Sequence, residues 1–218
     1  MPDVLLIHGY ATDLHAGAFR SPKGADAGFV AFRPWLELGR AAVFRWSIPR
    51  DITDPRHLID PRQYVQLYED ERRLALQSNE LHVALKETFA HGGIRTVVAH
   101  SMGCALMLEH IHRHGMPKGL ERIVFFQADI GEAEPLPDAL REAIDHARAQ
   151  LINAYCPWDT TLLASAIYHK GTPRVGLLGY KDPHVINRFF PLLKPFMFHT
   201  SPLRDPRALA FVERPFVS

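Results

Sequence analysis

The chain has 218 residues, 47% of them hydrophobic and 22% charged, which suits one soluble globular domain with long loops and leaves little room for extended disorder. Lys and Arg number 25 against 24 Asp and Glu, so the formal charge of +1 gives no footprint for nucleic acid or an acidic membrane. No apolar run approaches the roughly 18–20 residues that span a bilayer, and the first residues, MPDVLLIHGY, read as an early strand without the basic flank of an export signal. Cys104 and Cys156 lie in apolar surroundings. They read as reduced, buried thiols of a cytoplasmic protein.

Short apolar runs punctuate the chain in order. Residues 4–8 (VLLIH), 42–46 (AVFRW), 96–100 (TVVAH), 122–127 (RIVFFQ) and 151–155 (LINAY) predict strands buried on both faces, and 195–199 (PFMFH) predicts a sixth. Between them, apolar residues at i, i+3, i+4 and i+7 predict one long helix over 61–91, stopped by Gly92-Gly93. Further helices are predicted over 102–114, 137–149 and 160–169. Strands alternating with helices imply a mostly parallel α/β sheet covered on both faces. Two stretches break the alternation, 11–34 and 48–61, and are expected to be pocket or lid loops of a single domain spanning 1–218. Both follow strand ends, where open α/β sheets place their ligands.

The sharpest chemical signal is Ala99-His100-Ser101-Met102-Gly103, set between a strand and a helix. Small residues flanking a Ser allow a tight turn that lifts its hydroxyl above the sheet, and the following helix N-terminus directs N–H groups at the same place. Gly9, in His8-Gly9-Tyr10, lets a second backbone approach, so the backbone N–H groups of Tyr10 and Met102 are the expected oxyanion donors. His8 itself reads as a turn-packing residue.

These features resemble the α/β-hydrolase superfamily: HG after the first strand, AHSMG at the turn, and an acid after a late strand. The segments VLLIHGY, YEDERRLALQSNELHVAL, VVAHSMGCALMLE, IVFFQADI, INAYCPWDTTLLAS and RVGLLGY are similar to the uncharacterised α/β-hydrolase family DUF900, over roughly residues 4–199 with gaps at the two loops. The resemblance implies an α/β-hydrolase fold and esterase- or lipase-like activity.

A triad in that fold runs Ser, acid, His along the chain. Asp159 is the preferred acid, although it also suits the N-cap of the helix over 160–169. Asp129, one strand earlier, is the alternative. His199, ending the last apolar run, is the preferred base, with His184 as the alternative. His110 and His114 share a helix face at i, i+4 but lack the intervening Glu of a zinc protease motif, so no metal and no cofactor are expected. His100 reads as a variable position that lines the pocket. The stretch 170–179, KGTPRVGLLG, lacks the G-K-[ST] of a phosphate loop.

The expectation is a serine hydrolase acting on a small acyl substrate, first a carboxylic ester and then a thioester, lactone or amide. The rival expectation is a non-catalytic module of the same fold that binds a ligand or a protein partner.

Overall fold

The computed structural model describes residues 1–9, 28–46, 61–191 and 199–214. Six strands form one sheet: β1 (Val4–Ile7), β2 (Ala41–Phe44), β3 (Thr96–His100), β4 (Arg122–Phe126), β5 (Gln150–Tyr155) and β6 (Val185–Phe189). Every pairing is parallel, in the order β2-β1-β3-β4-β5-β6. The class is the α/β architecture that the alternating pattern implies. The order reverses between β1 and β3, the kind of switch point at whose C-terminal side open α/β sheets place their ligands.

The helices are α1 (Arg33–Glu37), α2 (Pro61–Gln77), α3 (Asn79–Gly92), α4 (Met102–His114), α5 (Asp138–Asp145), α6 (Thr160–Tyr168), α7 (Val175–Leu178) and α8 (Arg207–Glu213). Side-chain alternation divides the core in two. Leu5, Ile7, Val97, Ala99, Ile123 and Phe125 face Leu85, Leu106, Met107 and Leu140 of α3, α4 and α5. Val4, Leu6, Val98, Val124, Phe126 and Ile152 face Phe32, Trp35, Leu203 and Val212 on the opposite side. Helical elements therefore cover both faces. Among the described residues no helix is long and apolar enough to cross a membrane.

Three expectations need correction. The helix predicted over 61–91 is two helices, because Ser78 takes an extended conformation (φ −73°, ψ 115°) and its Oγ accepts from the Leu81 N–H at 3.1 Å. Such a cap is worth about 1 kcal/mol, and hydrophobic periodicity is blind to it. The sixth strand of the sheet is Val185–Phe189, which no apolar run predicts. Residues 195–198 lie outside the described residues, and His199 itself lies in a turn. Of the expected loop over 11–34, residues 28–34 form a turn, a short 3-10 helix (Val30–Phe32) and the start of α1, with Phe29 and Phe32 fully buried. This part is core, not lid. Residues 10–27 and 47–60, the remainder of both loops but for Pro61, which opens α2, lie outside the described residues.

Candidate active site

The C-terminal edge of the sheet is where β1, β3, β4 and β5 deliver their polar residues. β3 ends at His100, and Ser101 makes the turn into α4 with φ 55° and ψ −124°. A non-glycine residue held there costs of order 1–3 kcal/mol, so its surroundings must enforce it. They do so through three backbone bonds. The Ser101 N–H donates to the Phe126 carbonyl at 3.0 Å, and the Ser101 carbonyl accepts from Cys104 N–H at 3.1 Å and from Asp129 N–H at 3.2 Å.

Close backbone approach does the rest. A Cβ on Gly103 would lie 2.4 Å from the His8 carbonyl oxygen, and one on Gly9 would lie 2.7 Å from Ser101 Cβ. Only glycine permits either contact, which fixes the end of β1 against the first turn of α4. His8 stays within this scaffold: its Nδ1–H donates to the Gly9 carbonyl at 2.9 Å, its Nε2 accepts from Trp46 N–H at 3.3 Å, and its ring stacks on Trp46. Met102, the first residue of α4, is buried, and its amide has no intrahelical acceptor. Tyr10 lies outside the described residues.

Two carboxylates follow the next two strands, and their partners differ. Asp129, after β4, is engaged by three side chains. Its Oδ1 accepts from Ser165 Oγ at 2.6 Å and lies 2.9 Å from Arg174 Nε, while its Oδ2 accepts from the Tyr68 hydroxyl at 2.8 Å. His169 Nε2 contacts the same hydroxyl at 2.9 Å. Burial, followed by the Asp129 charge, pushes the Tyr68 pKa up to about 12, so it stays a hydroxyl.

Asp159, after β5, is fully buried and splits its oxygens between two tasks. Oδ1 caps α6, accepting from Thr161 N–H at 3.0 Å and Leu162 N–H at 3.1 Å. Oδ2 lies 2.7 Å from His199 Nδ1. Burial alone would raise the Asp159 pKa, but the His199 charge and these hydrogen bonds outweigh it and hold the carboxyl below its usual range. Burial likewise favours neutral His199, yet the adjacent Asp159 carboxylate wins and raises that imidazole above the ordinary 6.5. His199 Nε2 is buried and has no hydrogen-bond partner, Ser101 Oγ included.

His100 joins the two halves of the site. It is 2% exposed rather than lining an open pocket. Its ring centroid lies 4.6 Å from that of His199, and its Nε2–H donates to the His199 carbonyl at 3.0 Å. The structure thus brings Asp159 and His199 together one residue from Ser101. It does not bring His184 there. His184 precedes β6, at the opposite, N-terminal edge of the sheet, and pairs with Asp182 at 2.6 Å and Asp145 at 3.1 Å.

Two features escaped the sequence reading. One is the His100–His199 link, which joins residues 99 positions apart and has no local signal. The other is Gln127, fully buried after β4 at φ 44°, with both side-chain polar atoms lacking a hydrogen-bond partner. The imidazoles of His82, His110 and His114 cluster between α3 and α4, with centroids 5.1–6.4 Å apart. Among the described residues no group of His, Cys, Asp and Glu could hold a metal ion. Within the stretch 170–179, residues 175–178 form α7.

No protein-family model matches the chain, and no curated protein matches it.

Proposed function

We propose that the protein is a serine hydrolase with an α/β-hydrolase-type fold, in which Ser101 is the nucleophile, His199 the general base and Asp159 the acid that orients it. The observation that carries this reading is the strained Ser101 turn, sharing one sheet edge with a buried Asp159–His199 pair whose outer imidazole nitrogen has no other partner. Ser101 Oγ would attack an acyl carbonyl while His199 Nε2 takes its proton, leaving a tetrahedral oxyanion. The Met102 amide, at the start of α4, supports one donor for that oxyanion, with Tyr10 as its proposed partner. Collapse of the intermediate returns the proton from His199 to the leaving alkoxide and forms the acyl-enzyme. Water, deprotonated by the same imidazole, then releases the acid. A small carboxylic ester is the proposed substrate class, with thioesters, lactones and amides open to the same groups. Cys104 and Cys156 are both buried, and their reading as reduced thiols supports a cytoplasmic location.

The contact of Asp159 with His199, while Asp129 is engaged by Tyr68, Ser165 and Arg174, favours Asp159 as the acid, and the edge on which His184 lies favours His199. The test is covalent labelling. A fluorophosphonate probe is expected to add once to the wild-type chain by intact mass and not at all to Ser101→Ala. Absence of labelling, or equal labelling of both, would sink the hydrolase reading and favour the non-catalytic ligand- or partner-binding module.

A further inference from the structure

We infer that His100 is a positioning residue, whose Nε2–H, donated to the His199 carbonyl, anchors the turn that carries the proposed base and holds its ring on Asp159. The catalytic consequence rests on the hydrolase reading above; the anchoring itself does not.

Among the described residues His199 has little local support. It sits in a turn, ahead of a short 3-10 helix (Ser201–Arg204) whose Pro202 and Leu203 are buried. A turn residue without regular backbone bonds needs another constraint if its imidazole is to keep one orientation. His100 supplies one. As the last residue of β3, its ring lies against that of His199. Its other nitrogen abuts the loop after β1, because a Cβ on Gly9 would come within 2.9 Å of His100 Nδ1. One buried imidazole therefore ties the β1 loop, the β3–α4 turn and the His199 turn into a single block.

The chemistry of the donor suits this role. A carbonyl only accepts, so His100 must carry its proton on Nε2. Burial, and next the neighbouring His199, pull the His100 pKa down to about 3, whereas Asp159 raises that of His199. Of two touching imidazoles, His199 is the one whose surroundings favour a proton. His100 stays neutral, keeps its tautomer and keeps its bond through a proton cycle at its neighbour. A Lys or Arg here would keep a donor but place a second positive charge against the imidazolium.

The experiment compares His100→Leu, which removes the donor and keeps bulk, with His100→Gln, which keeps an amide N–H near the Nε2 position. Two readouts are used: the His199 imidazole titration by nitrogen-15 NMR, and the rate of Ser101 labelling by a fluorophosphonate. In the Leu variant the His199 titration is expected to move down toward the ordinary imidazole value. Labelling is expected to slow about three- to tenfold, the worth of one hydrogen bond. The Gln variant is expected to restore both. Unchanged titration in the Leu variant, or Gln and Leu equally displaced, would overturn the inference. If Leu does not fold, His100→Asn replaces it, since its shorter amide reaches the Nδ1 position only and should behave as donor-less. An unlabelled wild type with the titration shift intact would fault the hydrolase reading and leave the anchor standing.

Discussion

Replacing Asp159 by Asn alters one atom and separates its two tasks. Asn is as good an N-cap as Asp. Its side-chain oxygen can keep the bonds from Thr161 and Leu162, now 3.0 and 3.1 Å from Oδ1. The amide nitrogen then takes the Oδ2 position, 2.7 Å from His199 Nδ1, where the wild-type chain has an acceptor. A donor there forces Nδ1 to accept and moves the imidazole proton to Nε2, the nitrogen proposed to receive the serine proton. The proposed base would then be in the wrong tautomer, and the expected loss in kcat is on the order of 10⁴, or about 5 kcal/mol of transition-state stabilisation. The fold should lose far less, about 1–2 kcal/mol for a charge-assisted bond made neutral, which lowers Tm by a few degrees at this chain length.

The comparison with Asp129→Asn makes the reasoning refutable. That change leaves Arg174, 1% exposed, without its charged partner. Breaking a buried pair in this way costs about 3–5 kcal/mol, so Tm should fall by roughly 6–20 °C. Turnover per folded molecule should change little, because Asp129 does not touch His199. Steady-state hydrolysis of an activated p-nitrophenyl ester, with melting curves on the same preparations, separates the two outcomes. If Asp159→Asn kept more than about a tenth of kcat while Asp129→Asn abolished it, the assignment of the acid would be wrong.

Two further outcomes follow from the same geometry. A base must be neutral to accept a proton, and Asp159 raises the His199 pKa, so kcat/KM should rise with pH through an apparent pKa above 6.5; a limb at or below that value would show that the pair is not intact during turnover. Gly103→Ala would place a methyl 2.4 Å from the His8 carbonyl oxygen and should destabilise the fold by about 1–3 kcal/mol or more, read by denaturant midpoint; an unchanged midpoint would refute the close approach of β1 and α4.

The strands that frame the site were legible because each is a continuous apolar run, as a strand buried on both faces must be. β3 and α4 have the bounds that the sequence predicts, 96–100 and 102–114. β6 escaped because it is an edge strand. Val185 is buried, but Phe189 is exposed and Arg188 interrupts the pattern, so no apolar run marks it. The apolar run 195–199 predicts a strand ending at His199; that residue lies in a turn, yet it does meet Asp159. What holds it is tertiary, a carbonyl bonded to His100 and a short helix pinned by Leu203, and neither leaves a periodic trace. The division of labour between the two aspartates was equally hidden, since it depends on Tyr68, Ser165 and Arg174 arriving from three separate segments.

The two readings of Asp159, helix cap and partner of the base, look like rivals in the sequence, yet the geometry makes each the condition of the other. A lone carboxylate rotating at its χ2 could not hold an imidazole in one direction. With Oδ1 fixed by two amides of the α6 N-terminus, the plane of the group is set and Oδ2 can point only one way. The same amides, with the positive end of the helix dipole, stabilise the anion that burial would otherwise discourage. That stabilised charge is in turn what lifts the His199 pKa against the cost of burying an imidazolium. An acid placed on a free loop would lack both effects, and Asp129 faces Tyr68, Ser165 and Arg174 instead of His199. The cap is therefore the reason that this carboxylate, and not its neighbour, is free to orient a histidine.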